Sequence, residues 1–204
     1  MHKLLLDLPT CLETERLHLR CYHAGDGPLL YAVSQANREH LARYESENVL
    51  MSIKTPEDAE VIARDLANAW ARRDCFFLGA FEKQTGAFAA QIYIGPVNWD
   101  LPEFELGYFA DKDHEGQGYV TEAATAALQF IFEHLKAYRV RLGCNDTNVR
   151  SSRVAERCGF RREGHIREHR KHADGTFSGT LQYGLLHSES ESHRILGAKP
   201  YAER

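Results

Sequence analysis

The sequence predicts a single mixed α/β (α+β) domain in which antiparallel strands precede a strand-helix-strand-helix unit. Three observations carry that expectation. Short alternating or apolar runs recur through the first half of the chain, as strands with a buried face require. A two-glycine turn, Gly116-Gln117-Gly118, separates one such run from a long apolar helical stripe. The 204 residues, 43% hydrophobic and 26% charged, suffice for one well-buried core.

The elements follow in order. Leu17-His18-Leu19-Arg20 alternates and predicts a first strand, with helical material over residues 27–44. Thr55-Pro56-Glu57-Asp58 is a helix start: Thr55 caps, Pro56 has no amide hydrogen to leave unpaired, and the acids suit the positive helix end. Ile62, Leu66 and Trp70 then repeat along one face. Residues 76–81 read as a strand, Gln84-Thr85-Gly86 as a hairpin turn, and 87–97 as the returning strand. Another strand spans 104–110. Beyond the glycine turn, a helix from Tyr119 carries the stripe Val120, Ala124, Ala127, Leu128, Ile131, Leu135. Val140 and Leu142 mark a short strand, and a helix over 148–158 ends at Gly159. Strands over 161–167 and 177–186 complete the domain, taken as residues 1–187, with no internal repeat. Residues 188–204, rich in Ser, Glu and Arg, are expected to form a frayed polar tail.

Composition narrows the function. A formal net charge of −4 argues against general nucleic-acid binding, which favours a basic surface. Five widely spaced cysteines without a C-x-x-C pair fit reduced cytoplasmic thiols better than a disulfide framework. Leu4-Leu5-Leu6 is too short for a signal-peptide core, and no apolar run approaches the roughly 20 residues of a membrane helix. The expectation is a soluble cytoplasmic protein.

The glycine turn is the first candidate site. A strand, two glycines and a helix entry gather unpaired amide hydrogens around one point, where the helix also presents partial positive charge. A pyrophosphate would be held there by hydrogen bonds and by field. Alone, the pattern reads first as a plain glycine turn, because short motifs recur by chance. The dinucleotide fingerprint would need glycine where Thr121 stands, and no G-x-x-x-x-G-K-[ST] loop occurs.

A second motif sharpens it. Asn148-Val149-Arg150-Ser151-Ser152-Arg153-Val154-Ala155-Glu156-Arg157-Cys158-Gly159-Phe160 follows the next strand. With Glu115-Gly116-Gln117-Gly118-Tyr119-Val120 it resembles the GNAT superfamily of N-acetyltransferases, nearest the RimJ/RimL type that acetylates ribosomal-protein N-termini. The likeness runs from Glu13-Thr14-Glu15-Arg16-Leu17 to Leu181-Gln182-Tyr183. It implies the GNAT fold, a central mostly antiparallel sheet flanked by helices, and acetyl-CoA as co-substrate without a metal. Two positions depart from the pattern: Glu115 replaces Gln or Arg and is expected to face solvent, and Val120 replaces a small residue.

The resemblance also distributes roles. Cofactor binding falls to Tyr108, Phe109 and Ala110 on the splayed strand, to Gly116, Gln117, Gly118, Tyr119, Val120 and Thr121 on the turn, and to Asn148 and Arg153 beyond it. Amides near Phe109 and Ala110 would polarise the thioester carbonyl. Asn148 is equally suited to capping its helix. The acyl group passes directly to the acceptor, so Cys144 reads as packing. Glu105 is the candidate base, with an ion-paired strand acid as its alternative. The family's acidic Tyr position is Ala155, which leaves Ser151 as candidate proton donor. An N-terminal amine with a pKa of about 8 is far easier to deprotonate than a lysine near 10.4.

By the resemblance, the favoured acceptor is a protein N-terminal amine. A small amine (polyamine, amino sugar or drug) and a non-catalytic acyl-CoA-binding module are the alternatives, and a homodimer is compatible with the resemblance. Trp70, Trp99, Tyr44 and the histidines His165, His169 and His172 are candidates for the acceptor pocket. An Asp often precedes the last strand in this type, where Gly179 stands. A rival class comes from His165-Ile166-Arg167-Glu168-His169, which spells the zinc pattern H-x-x-E-H. That chemistry needs a buried helix, and the surrounding Arg161, Arg162, Arg167, Arg170 and Lys171 argue against one.

Overall fold

The computed structural model describes residues 2–172 and 174–192. An eight-stranded sheet runs in the order β1-β2-β3-β4-β5-β6-β8-β7. Its strands are β1 (Cys11–Glu13), β2 (Leu17–Cys21), β3 (Phe76–Glu82), β4 (Phe88–Asn98), β5 (Glu103–Ala110), β6 (Arg139–Asn145), β7 (Arg161–Lys171) and β8 (Phe177–Leu186). All neighbours are antiparallel except β5 and β6. The helices are α1 (Gly27–Tyr44), α2 (Pro56–Arg72), α3 (Tyr119–Glu133), α4 (Val149–Arg157) and α5 (His187–Ser192).

Local chemistry accounts for most boundaries. The Thr55 hydroxyl accepts from the Asp58 amide while the Asp58 carboxylate accepts from the Thr55 amide, a reciprocal cap that starts α2. Ala59, Ala63, Leu66, Ala69 and Trp70 form its buried face, so alanines extend the expected stripe and let the helix approach closely. In α3 burial exceeds one stripe: Tyr119, Ala126, Phe130 and Phe132 are buried as well, because the helix is enclosed on several sides. Trp70, Phe76 and Phe130 meet there with ring centroids 5.1–5.9 Å apart.

Strand alternation divides the interior. Phe104 and Leu106, with Tyr108 packed alongside, join the cluster around α3. Phe109 joins the opposite cluster with Leu30, Val33 and Leu41 of α1. Glu105 and Gly107, four and two positions before Phe109, share the α1 face of β5.

Three expectations change. A three-residue β1 precedes the expected first strand and pairs with it, too short to show any period. β7 continues to Lys171 although every side chain but Gly164 is exposed; pairing with β8 alone maintains it, through two register shifts. Residues 187–192 form α5 rather than a frayed tail, with the His187 ring 5.5 Å from Phe132; the rest of the expected tail, 193–204, lies outside the described residues. No helix among the described residues is long and apolar enough to cross a membrane.

Candidate active site

The cleft begins where the parallel pair gives way. β5 and β6 pair at Glu103–Arg139, Phe104–Val140 and Glu105–Arg141, and then diverge. The Asp111 amide donates to the Ala89 carbonyl, so in antiparallel alternation Phe109 and Gly107 also face β4. The peptide groups of Tyr108 and Ala110 turn the other way, into the gap. Of the two amides expected to polarise a carbonyl, Ala110 faces the gap and Phe109 does not.

At the end of the gap, Gly116 and Gly118 adopt φ of +74° and +82°, the left-handed region that side chains resist. A Cβ at Gly116 would meet nothing within 4 Å, so conformation and not crowding requires the glycine. Gly118 is the N-cap of α3 and supplies no side-chain cap, whereas α2 and α4 are closed by Thr55 and Asn148. The first amides of a fifteen-residue helix thus open onto the cleft, ready for an anion. Beneath the turn, the buried Asp111 carboxylate accepts from the Asn37 amide (2.8 Å), His114 Nδ1 (2.9 Å) and the Asp113 amide (3.0 Å). Burial alone would raise its pKa, but these bonds hold it below the usual carboxylate value.

Two cavities meet at the gap. One, of about 1030 Å³, runs from the α1 end past Gly116 and Gly118 to Asn148, Arg153 and Arg157. The other, of about 1310 Å³, lies over the sheet face carrying Gln91, Tyr93, Glu105 and Arg141, with residues 44–49 on its wall. Tyr44, Glu45, Tyr108, Phe109, Asn148 and Ser151 line both. Across the gap the Tyr108 hydroxyl donates to the Ser151 carbonyl at 2.8 Å, with the Ser151 hydroxyl at 3.5 Å. Burial pushes the Tyr108 pKa far up, so the phenol stays protonated.

Comparison with known proteins identifies this architecture. An acetyltransferase (GNAT) domain model matches residues 16–161. The chain belongs to the GNAT family of acetyltransferases. Among curated proteins it is 25% identical over 187 residues to the putative ribosomal N-acetyltransferase YdaF of Bacillus subtilis, covering 91% of this chain and 99% of that one. Among solved structures, Mycobacterium smegmatis RimJ in complex with CoA-disulfide superposes with a TM-score of 0.77 at 20% identity, covering 97% and 93% of the two chains. A Vibrio fischeri ribosomal-protein-S5-alanine acetyltransferase also reaches 0.77, at 18% identity over 87% and 97%. The expected mixed α/β GNAT fold and N-acetyltransferase class therefore hold.

Within this GNAT enzyme the expected site residues divide. Tyr108, Phe109, Ala110, Gly116, Gly118, Tyr119, Val120, Thr121, Asn148, Ser151 and Arg153 all line the cavities, and Gln117 does not. The Gln117 carbonyl accepts from Arg16 (3.0 Å) and its side chain bonds back to Asp113, holding the turn from outside. Tyr119 sends its hydroxyl to Glu82 at 2.6 Å, which leaves its backbone for the cleft. Asn148 caps α4 through Oδ1. Glu105 Oε2 accepts from Arg141 Nε and Nη2 at 3.0 and 2.8 Å, so its ion-paired alternative is the observed state. Glu115 does not face solvent as expected: it lines the cavity wall, where Arg150 pairs with it and offsets its charge, with His40 3.7 Å away.

Of the acceptor candidates, Tyr44 and His169 line the sheet-face cavity, while Trp70 is buried in the core and Trp99 packs edge-on against Phe104. His165 and His172 bond Asp146 and Ser178 instead. Gly179 lies inside β8, and a Cβ there would fall 2.3 Å from His165 Nε2 and 2.4 Å from Asp146 Oδ2; that pair fills the space an Asp would need. His165 and His169 sit on a bulged strand, so H-x-x-E-H lacks the helix that zinc hydrolysis requires. Among the described residues, the metal-type cluster Cys11, Glu13 and His18 lies at the far edge of the sheet. Cys144 is buried, and its thiol is pushed up to about 11, protonated at neutral pH. Sequence reasoning did not single out the Tyr108 hydroxyl, which meets Ser151 across the gap, or Glu45, which lines both cavities.

Proposed function

We propose that this N-acetyltransferase binds acetyl-CoA in the gap between β5 and β6 and acetylates the N-terminal amine of a protein or peptide. The observation that carries the reading is the meeting of two cavities at an unpaired strand edge beside an uncapped helix start. Tyr108 and Ala110 peptide groups would bond the pantetheine arm, the α3 amides the pyrophosphate, and Asn148 Nδ2 and Arg153 the flanking polar groups. Acetyl-CoA supplies the acetyl group as a thioester with a stable leaving thiol. The Tyr108–Ser151 hydroxyl pair relays the acceptor nitrogen's second proton to the departing sulfur, with no net loss of its own protons, and the protonated Cys144 takes no covalent part.

A protein terminus is favoured over a small amine by space. The sheet-face cavity of about 1310 Å³ exceeds the roughly 300–1,000 Å³ typical of small-molecule pockets. Likeness to the putative ribosomal N-acetyltransferase YdaF supports a ribosomal-protein acceptor. A single domain over residues 1–187 and a cytoplasmic setting belong to the same proposal. Thiol release from acetyl-CoA, measured against peptides of varied N-terminus, lysine side chains and polyamines, tests it. Turnover with N-terminal peptides well above the small amines is expected; turnover restricted to polyamines or amino sugars would replace the acceptor.

A further inference from the structure

The glutamates lining the sheet-face cavity are unequal. Glu103 and Glu163 share Arg139, and Glu105 holds Arg141. Glu47 lies 4.0 Å from Arg170. Glu45 is the one left over: among the described residues its carboxylate makes no ion pair or side-chain hydrogen bond. It lines both cavities at their junction.

Its position follows from the fold. Glu45 is the C-cap of α1, its amide bonded to the Leu41 carbonyl, and α1 packs on the face of β5 that carries Glu105 and Phe109. Tyr108 and Ser151 stand on the opposite face. The gap thus has an unpaired carboxylate on one side and a protonated hydroxyl pair on the other.

We infer that Glu45, and not Glu105, is the general base that deprotonates the acceptor amine. The inference rests on the acetyltransferase reading above. The Glu45 carboxylate takes one proton from the acceptor ammonium. The freed nitrogen pair forms the carbon–nitrogen bond as the carbon–sulfur bond breaks, and the nitrogen's second proton passes to the departing sulfur. One amide and one thiol result, and the proton on Glu45 leaves to solvent.

The electrostatics suit the task. Glu45 is open to the cleft, but the surrounding protein walls raise its pKa to about 7; Arg170 on β7 opposes the rise and Glu47 adds to it. The negative end of α1 also disfavours the ionised form. A base with its pKa near the working pH combines availability with proton affinity. Glu105 and Arg141, Glu103, Glu163 and Arg139, and His169 face the same cavity, with Glu115, His40 and Arg150 at the neighbouring one.

The test is a pH profile of turnover with an N-terminal peptide for the wild type, Glu45→Gln, Glu45→Asp and Glu105→Gln. Acetyl-CoA affinity is measured for each by thermal shift. Glu45→Gln is expected to lower kcat about 100-fold, within the span of general-base effects. It should also abolish the rise near pH 7 while leaving acetyl-CoA affinity intact. Glu45→Asp should restore part of the rate and the pH rise, and Glu105→Gln should keep the rise. A Glu45→Gln profile that follows the wild type, or loss of the rise in Glu105→Gln instead, overturns the inference while the acetyltransferase reading stands. Failure of the wild type with every amine would overturn that reading itself.

Discussion

At the residue scale, Gly118 shows how little a glycine motif means until its conformation is known. At φ +82° an L side chain costs about 1–2 kcal/mol, and the nearest atom to a new Cβ is the end of the flexible Arg16 side chain at 3.4 Å. Gly118→Ala should therefore fold, lose about that much in urea unfolding, and bind acetyl-CoA more weakly as the α3 amides shift. Asp111 is a second residue-scale case. Its lowered pKa contributes stability that is present above the unfolded carboxylate value of about 3.9 and is lost as pH falls through the lower folded value. Asp111→Ala should cost about 1–3 kcal/mol near neutral pH, since Asn37 and His114 lose an acceptor, and the cost should shrink in acid. Urea titrations from pH 2 to 7 would check both statements. The buried thiol of Cys144, protonated at neutral pH, implies that Cys144→Ala retains turnover in the thiol-release assay.

At the element scale, the helix ends separate structure from function. α4 is closed by the Asn148 side chain, and Asn148→Ala should destabilise the fold by about 1 kcal/mol as well as loosening cofactor binding. Thermal unfolding and acetyl-CoA affinity, measured together, distinguish this from a cap-only role, which would leave affinity unchanged. α3 is capped by no side chain, and the sequence shows why: glycine stands where Ser, Thr, Asp or Asn would close a helix. Most elements were readable because their burial follows a period, as in α1, whose expected span is the observed one. β1 was not, being too short for a period, and the far end of β7 was not, since no apolar face marks it. α5 was hidden in a polar run that reads as tail.

At the scale of the whole molecule, the cleft is a product of sheet topology. Among the described residues six antiparallel ladders hold the sheet together, and the single parallel pair releases after three residue pairs. A ligand seated along that edge should stabilise the native state by about 2.7 kcal/mol at a hundredfold excess over Kd. Acetyl-CoA should accordingly raise the melting temperature, whereas NAD and ATP should not, a comparison that differential scanning fluorimetry makes directly.

The sequence alone determined the local features proposed for the acyl-donor side. Gly116, Gly118 and Asn148 act through backbone conformation and caps, which are local properties that survive in a linear motif. The proposed acceptor side rests on what tertiary structure alone brings together. Glu105 and Glu45 are both bare glutamates in the sequence, and only folding gives one Arg141 as a partner and leaves the other unpaired where two cavities meet. Proton affinity depends on neighbours brought from distant elements, so no motif could have told the two apart.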